Sequence, residues 1–155
     1  MASTATNKQP LLVDRVLHTV VVTDTARNDG MDVIGTNSAV LLVDGTTQDG
    51  AILEDIYVIA RSTIPYTVNL YVSTAADYLR PQQAAFVGSV TSATTKGNIV
   101  RWEDMPKSLT PVPAVGTEPY NRAFYLPKGV ALWTARDSDS DVTDGPLVGC
   151  QGGWF

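Results

Sequence analysis

The sequence predicts an all-β fold, an antiparallel β-sandwich, jelly-roll-like, of about eight or nine short strands. Two observations carry that expectation. β-branched and aromatic residues gather in short runs with period-two spacing, the pattern of strands with one buried face. Clusters of Gly, Pro, Asn and Asp separate these runs at fairly even intervals, which points to a sandwich, jelly roll or barrel. A third observation is negative: no fixed-period repeat, heptad or interior shift in composition marks a second domain. With 155 residues, the chain suits one domain. A domain of that size buries roughly 70% of its unfolded surface.

Residues 1–9 are rich in Ser, Thr and Ala and end at Pro10. They predict a flexible N-terminal arm over 1–10, either an untethered terminus or an arm that orders against a neighbouring subunit. Residues 11–155 form the expected single domain. Within 11–23, Val16, His18, Val20 and Val22 share one face, and Leu17, Thr19, Val21 and Thr23 the other. Apolar residues on both faces predict a strand covered on both sides. A turn-rich loop leads to a short strand at 33–35 and another at 39–44, closed by the turn dipeptide Asp44-Gly45.

The chain is organised around 50–73, which reads as two strands joined by a break. Ile52, Ile56, Val58 and Ala60 fall on one face of the first strand, with Asp55 and Arg61 opposite. Tyr66, Val68, Leu70 and Val72 share one face of the second. Residues 62–65 supply the break, because Pro65 fixes its own φ and has no N–H to donate. Then Ala75, Ala76, Tyr78 and Leu79 suit one helical turn, stopped at Arg80-Pro81. Further strands are expected at 84–90, 99–102, 123–126, 130–135 and 147–155. Leu132 and Trp133 should face opposite ways in the fourth of these. Between 103 and 121, Pro106, Pro111, Pro113 and Pro119 exclude a long helix or a central strand. A loop of that length is usually functional or lies on a partner.

Charged residues make up only 17% of the chain and hydrophobic residues 44%, with a formal charge of -5. The usual charged share is about 25%, so much of the surface is uncharged polar or is covered by a partner. An acidic chain does not neutralise phosphates, which argues against nucleic acid. No apolar run reaches the ~20 residues of a membrane span, and no signal segment opens the chain. A soluble protein without a secretory address is expected. The single Cys150 excludes an intrachain disulfide framework.

No catalytic constellation is visible. His18 is the only histidine and sits within an apolar run, where a hydrogen-bonded structural role is the simpler reading. One His and one Cys do not make a zinc site. Glu54 and Asp55 are strand neighbours, so they point to opposite faces. A glycosidase pair such as Glu103 with Asp137 would have to assemble from distant positions. The 137–141 loop, Asp-Ser-Asp-Ser-Asp, alternates carboxylates, but a calcium loop would need Gly and Glu where Val142 and Val148 stand. A solvated acidic loop or a weak cation site remain the alternatives. No cofactor or metal site and no enzymatic activity is expected. Trp102, Tyr120, Phe124, Tyr125, Trp133, Trp154 and Phe155 crowd the second half. They suit core and interface packing, or a carbohydrate platform.

Three stretches carry a resemblance. They are Gly50-Ala51-Ile52-Leu53-Glu54-Asp55-Ile56 with the later Val68-Asn69-Leu70-Tyr71-Val72-Ser73, Leu126-Pro127-Lys128-Gly129-Val130-Ala131-Leu132-Trp133, and the Gly152 to Phe155 ending. Over about half its length, the chain resembles the small β-sandwich structural proteins of tailed bacteriophages. The resemblance implies a virion protein made in the host cytoplasm. It implies a capsid cement or decoration subunit that bridges shell subunits, or alternatively a tail or fibre component with a carbohydrate-binding sandwich. Implied partners are the major capsid protein or other virion subunits, in a homo-oligomer with a trimer favoured, without nucleic acid or membrane. The expected contacts are the arm, Pro106, Pro111, Pro113 and Tyr120 in the long loop, and the terminal Trp154 and Phe155.

Overall fold

The computed structural model describes residues 15–23, 39–75, 77, 84–102, 124–137 and 144–155. Among them are nine strands and no helix: β1 (Arg15–Val22), β2 (Val40–Asp44), β3 (Gly50–Ile59), β4 (Thr67–Ser73), β5 (Ala84–Thr91), β6 (Ile99–Arg101), β7 (Phe124–Pro127), β8 (Ala131–Asp137) and β9 (Leu147–Trp154). They form two antiparallel sheets packed as a sandwich. The five-stranded sheet runs β1-β9-β3-β6, with β7 also paired to β3. The four-stranded sheet runs β2-β8-β4-β5. β6 and β7 share one edge of β3, since β6 pairs with Tyr57 to Ile59 and β7 with Gly50 to Leu53. Sequential strands lie in different sheets, apart from the β4–β5 pair and β6 with β7.

The expected strand at 33–35 lies outside the described residues, as do the arm and most of the expected helical turn. The other expected strands are present; residues 11–14 of the first lie outside the described residues, and the remaining ends agree to within two residues.

The main core lies between the sheets. Leu53, Ile56, Val58, Val148 and Cys150 enter it from the five-stranded sheet, and Val68, Leu70 and Leu132 from the four-stranded one. β3 does not keep one phase along its length. Ala51 and Leu53 point inward, the register slips between Leu53 and Asp55, and Ile56, Val58 and Ala60 then point inward. This corrects the placement of Ile52 with the inward set. The bulge adds one residue, so two apolar runs of opposite parity both reach the core. Glu54 sits exposed at the bulge.

Gly152 stands opposite Leu53 at the same place. A Cβ there would come within 1.9 Å of the Ile52 carbonyl oxygen. The tight crossing of β9 over the bulge therefore requires glycine.

β1 corrects a second expectation. Leu17 packs into the core, but Val16, Val20 and Val22 are exposed, so this strand is covered on one face only. β4 and β8 are the strands buried on both faces. Leu132 faces the main core while Trp133 faces outward, where it joins Tyr71, Ala131 and Ala135 in a second buried cluster. The Trp133 indole donates to the Ala75 carbonyl at 3.0 Å, so the chain leaving β4 folds back over that outer face.

Candidate interaction surface

The register of the five-stranded sheet fixes which residues share its outer face, because residues directly opposite across strands point the same way. One row is Val22, Leu147, Ile59 and Ile99, running from β1 across β9 and β3 to β6. A second row is Val16, Gly153, Ile52 and Tyr125, running from β1 to β7. Between them lie Val20, Gly149, Tyr57 and Arg101, then His18, Gln151 and Asp55. Two apolar rows thus flank a polar band.

The band is internally satisfied. The His18 Nε2 and the Tyr57 hydroxyl are 2.9 Å apart, a hydrogen bond that spans β9 from β3 to β1. Gly149 is what lets Tyr57 reach that far: a Cβ there would fall 2.3 Å from the Tyr57 ring. The tyrosine ring occupies the space that a side chain on β9 would fill. Burial pushes the Tyr57 phenol above its ordinary value, with Cys150 and Asp55 adding to the rise and Arg101 opposing it. Arg101 donates to the Asp55 carboxylate at 3.1 Å. Within the polar band, Asp55 and Arg101 thus balance each other.

Eight large apolar side chains are exposed among the described residues. Six of them lie on the strands of this sheet or at the chain end beside it: Val16, Val20, Val22, Ile99, Tyr125 and Phe155. Val16 is 84% exposed, an extreme value for a valine within a strand. Taken from strand spacing and rise, the face measures about 14 by 27 Å between outer strand axes, or roughly 400 Å². It is about half of the ~800 Å² that a standard interface takes from each partner.

The terminal aromatic pair divides its work. Trp154 packs against the main core, while Phe155 stays on the surface beside Tyr125, with ring centroids 5.9 Å apart. The Phe155 amide donates to the Gly50 carbonyl at 3.0 Å, which holds the chain end beside the open face. Pro106, Pro111, Pro113 and Tyr120 lie outside the described residues, and so does the acidic loop beyond Asp137.

The groups capable of chemistry stay apart. Cys150 points into the core, and burial pushes its thiol up to about 12, so at neutral pH it is a protonated, enclosed thiol. Its strand neighbours place it on the side opposite His18, because Cys150 pairs with Ile56 and Thr19. Among the described residues, no group of three or more His, Cys, Asp or Glu side chains gathers to hold a metal ion. None of the three tryptophans offers an open platform: Trp102 and Trp133 are buried, and Trp154 is half-buried against the core. The reasoning from sequence missed this surface. Its one signal in the sequence is the alternation of Val16, Val20 and Val22.

No family model, curated protein or solved structure matches this chain.

Proposed function

We propose that the protein is a non-enzymatic structural subunit of a bacteriophage particle, a cement or decoration protein made in the host cytoplasm that docks on a protein shell and bridges its subunits. One observation carries this reading: the exposed apolar residues on the outer face of the five-stranded sheet. A satisfied polar band between apolar rows suits a protein partner, which can bury both without leaving a charge unpaired. The strand order adds support. Counting β6 and β7 as one edge position, the eight positions run 1-8-3-6 in one sheet and 2-7-4-5 in the other. That order supports a jelly-roll reading of the sandwich, an architecture common in viral capsid and lectin domains. Fold alone does not assign a task, so the weight rests on the face. The alternative of a carbohydrate-binding tail or fibre component loses its tryptophan platform to the core.

The test is the copy number of this chain in purified particles, by quantitative mass spectrometry against the main shell protein. Hundreds of copies per particle, with a shell that melts lower once the protein is stripped, support the reading. A few copies would move it to the tail or fibres, and absence from particles would refute it.

A further inference from the structure

The edges of the two sheets are not equally protected. β6 has three residues and ends in Arg101, and β7 has four and ends in Pro127. β2 has five residues, carries a register shift and ends in Asp44. β1 is long, but it carries Arg15 and His18. Short length, charge, proline and bulges are the devices that keep a free edge from pairing with another chain. β5 is the least guarded of the described edges, with a single bulge at Val87 as its one such device. It runs for eight residues, Ala-Ala-Phe-Val-Gly-Ser-Val-Thr, with no charge and no proline. Among the described residues it pairs with β4 alone.

We propose that β5 pairs antiparallel with β5 of a second copy, so that two four-stranded sheets join into one eight-stranded sheet across a two-fold axis. The pairing is argued from charge and from register. An uncharged strand meets its own copy without like-charge repulsion, which most strands of this chain would not. The bulge in β5 then sets the register. Leu70 pairs with Gly88 and Tyr71 with Phe86, so Val87 is the extra residue and the parity of side chains changes there. On one side of it, Ala84 and Phe86 face outward and Ala85 inward; on the other, Ser89 and Thr91 face outward and Val90 inward.

A two-fold axis between Val87 and Gly88 therefore matches like with like. Phe86 stands opposite Ser89 of the second copy, Ala85 opposite Val90, and Ala84 opposite Thr91, each pair on one face. Any register shifted by one residue would set outward side chains against inward ones. The same pairing covers Ala85, which is exposed at the open margin of the sandwich. Phe86, whose ring lies edge-on to Tyr71 with centroids 5.8 Å apart, would have Ser89 of the second copy directly across from it.

The axis is normal to the sheets, so the open faces of both five-stranded sheets point the same way. A dimer would present about twice the single face of roughly 400 Å², the area one partner gives to a standard interface, and would bind a repeating shell through two linked contacts. Only this last consequence rests on the docking reading; the pairing itself does not.

The experiment is sedimentation velocity of the full chain from micromolar to hundreds of micromolar, with amide hydrogen exchange of the 84–91 peptide at both ends of that range. The variant is Ser89→Lys with Thr91→Lys, both at exposed positions. An unchanged thermal midpoint for the variant monomer establishes that it is folded. We expect a concentration-dependent dimer, slower exchange in 84–91 where the dimer forms, and association weakened at least about tenfold in the variant. A monomer at every concentration, a trimer, or a dimer that the lysines leave intact would overturn the proposal. A monomer that still docks on shells would refute this inference and leave the docking reading standing. A β5 dimer that ignores shells would do the reverse.

Discussion

Both sheets present apolar residues on their outer faces, and the two faces meet different fates. On the four-stranded sheet, Tyr71, Trp133, Ala131 and Ala135 are covered, with Ala75 held down by the Trp133 indole. On the five-stranded sheet, Val16, Val20, Val22 and Ile99 stay open to solvent. One face is thus a second core and the other a surface. The difference teaches that apolar alternation predicts that a face will be covered, and leaves open whether the chain itself or a partner covers it.

The largest expected effect separates the two faces outright. Trp133→Ala should destabilise the fold by about 3–5 kcal/mol in denaturant unfolding, since it empties a closed site. A loss below about 1 kcal/mol would mean that the outer cover of the four-stranded sheet is loose.

The core behind the open face gives the second prediction, through pH. The Cys150 thiol rises from an ordinary 9.0 to about 12 in the folded chain. Between those values the unfolded chain has released this proton and the folded chain has not, so stability falls as pH rises. The slope contributed by this group approaches about 1.4 kcal/mol per pH unit. Raised by burial as well, Tyr57 pulls in the same direction at higher pH. Cys150→Ala should flatten the 9 to 12 window once its lower overall stability is subtracted. An unchanged slope would locate the alkaline loss elsewhere.

Gly149→Ala should have a smaller effect, on the order of 1–2 kcal/mol, by pushing the Tyr57 ring aside and breaking its hydrogen bond to His18. The shift of the His18 ring signals by NMR reports that break; unmoved signals would show that the ring had yielded without losing its partner.

Smallest for stability, and most telling for function, is Val20→Lys paired with Ile99→Lys. Each change should alter unfolding by less than about 0.5 kcal/mol, because both positions face solvent. The pair should nonetheless abolish attachment to shells in a pull-down with purified particles. Retained attachment would move the docking surface away from this face.

The arrangement of residues within strands was legible from the sequence, and their arrangement across strands was not. Patterns within short runs located the described strand ends to within two residues, apart from the phase of β3 and the cover of β1. The phase of β3 was hidden because strict alternation from Ile52 passes over the bulge at Glu54, whose one local sign is the pair of adjacent carboxylates between Leu53 and Ile56. The candidate surface was hidden for a related reason. Its rows join Val22 to Ile99 and Val16 to Tyr125, residues far apart in the chain that become neighbours only through β9.

By itself, the sequence determined an all-β sandwich of short strands, because side-chain alternation and turn chemistry are local properties of consecutive residues. The tertiary structure alone decided that Trp154 enters the core while Phe155 stays outside, that Gly149 makes room for Tyr57, and that one apolar face is covered and the other open. Those outcomes depend on which strands become neighbours and in what register, and pairing between distant segments is set by the packing of the whole chain.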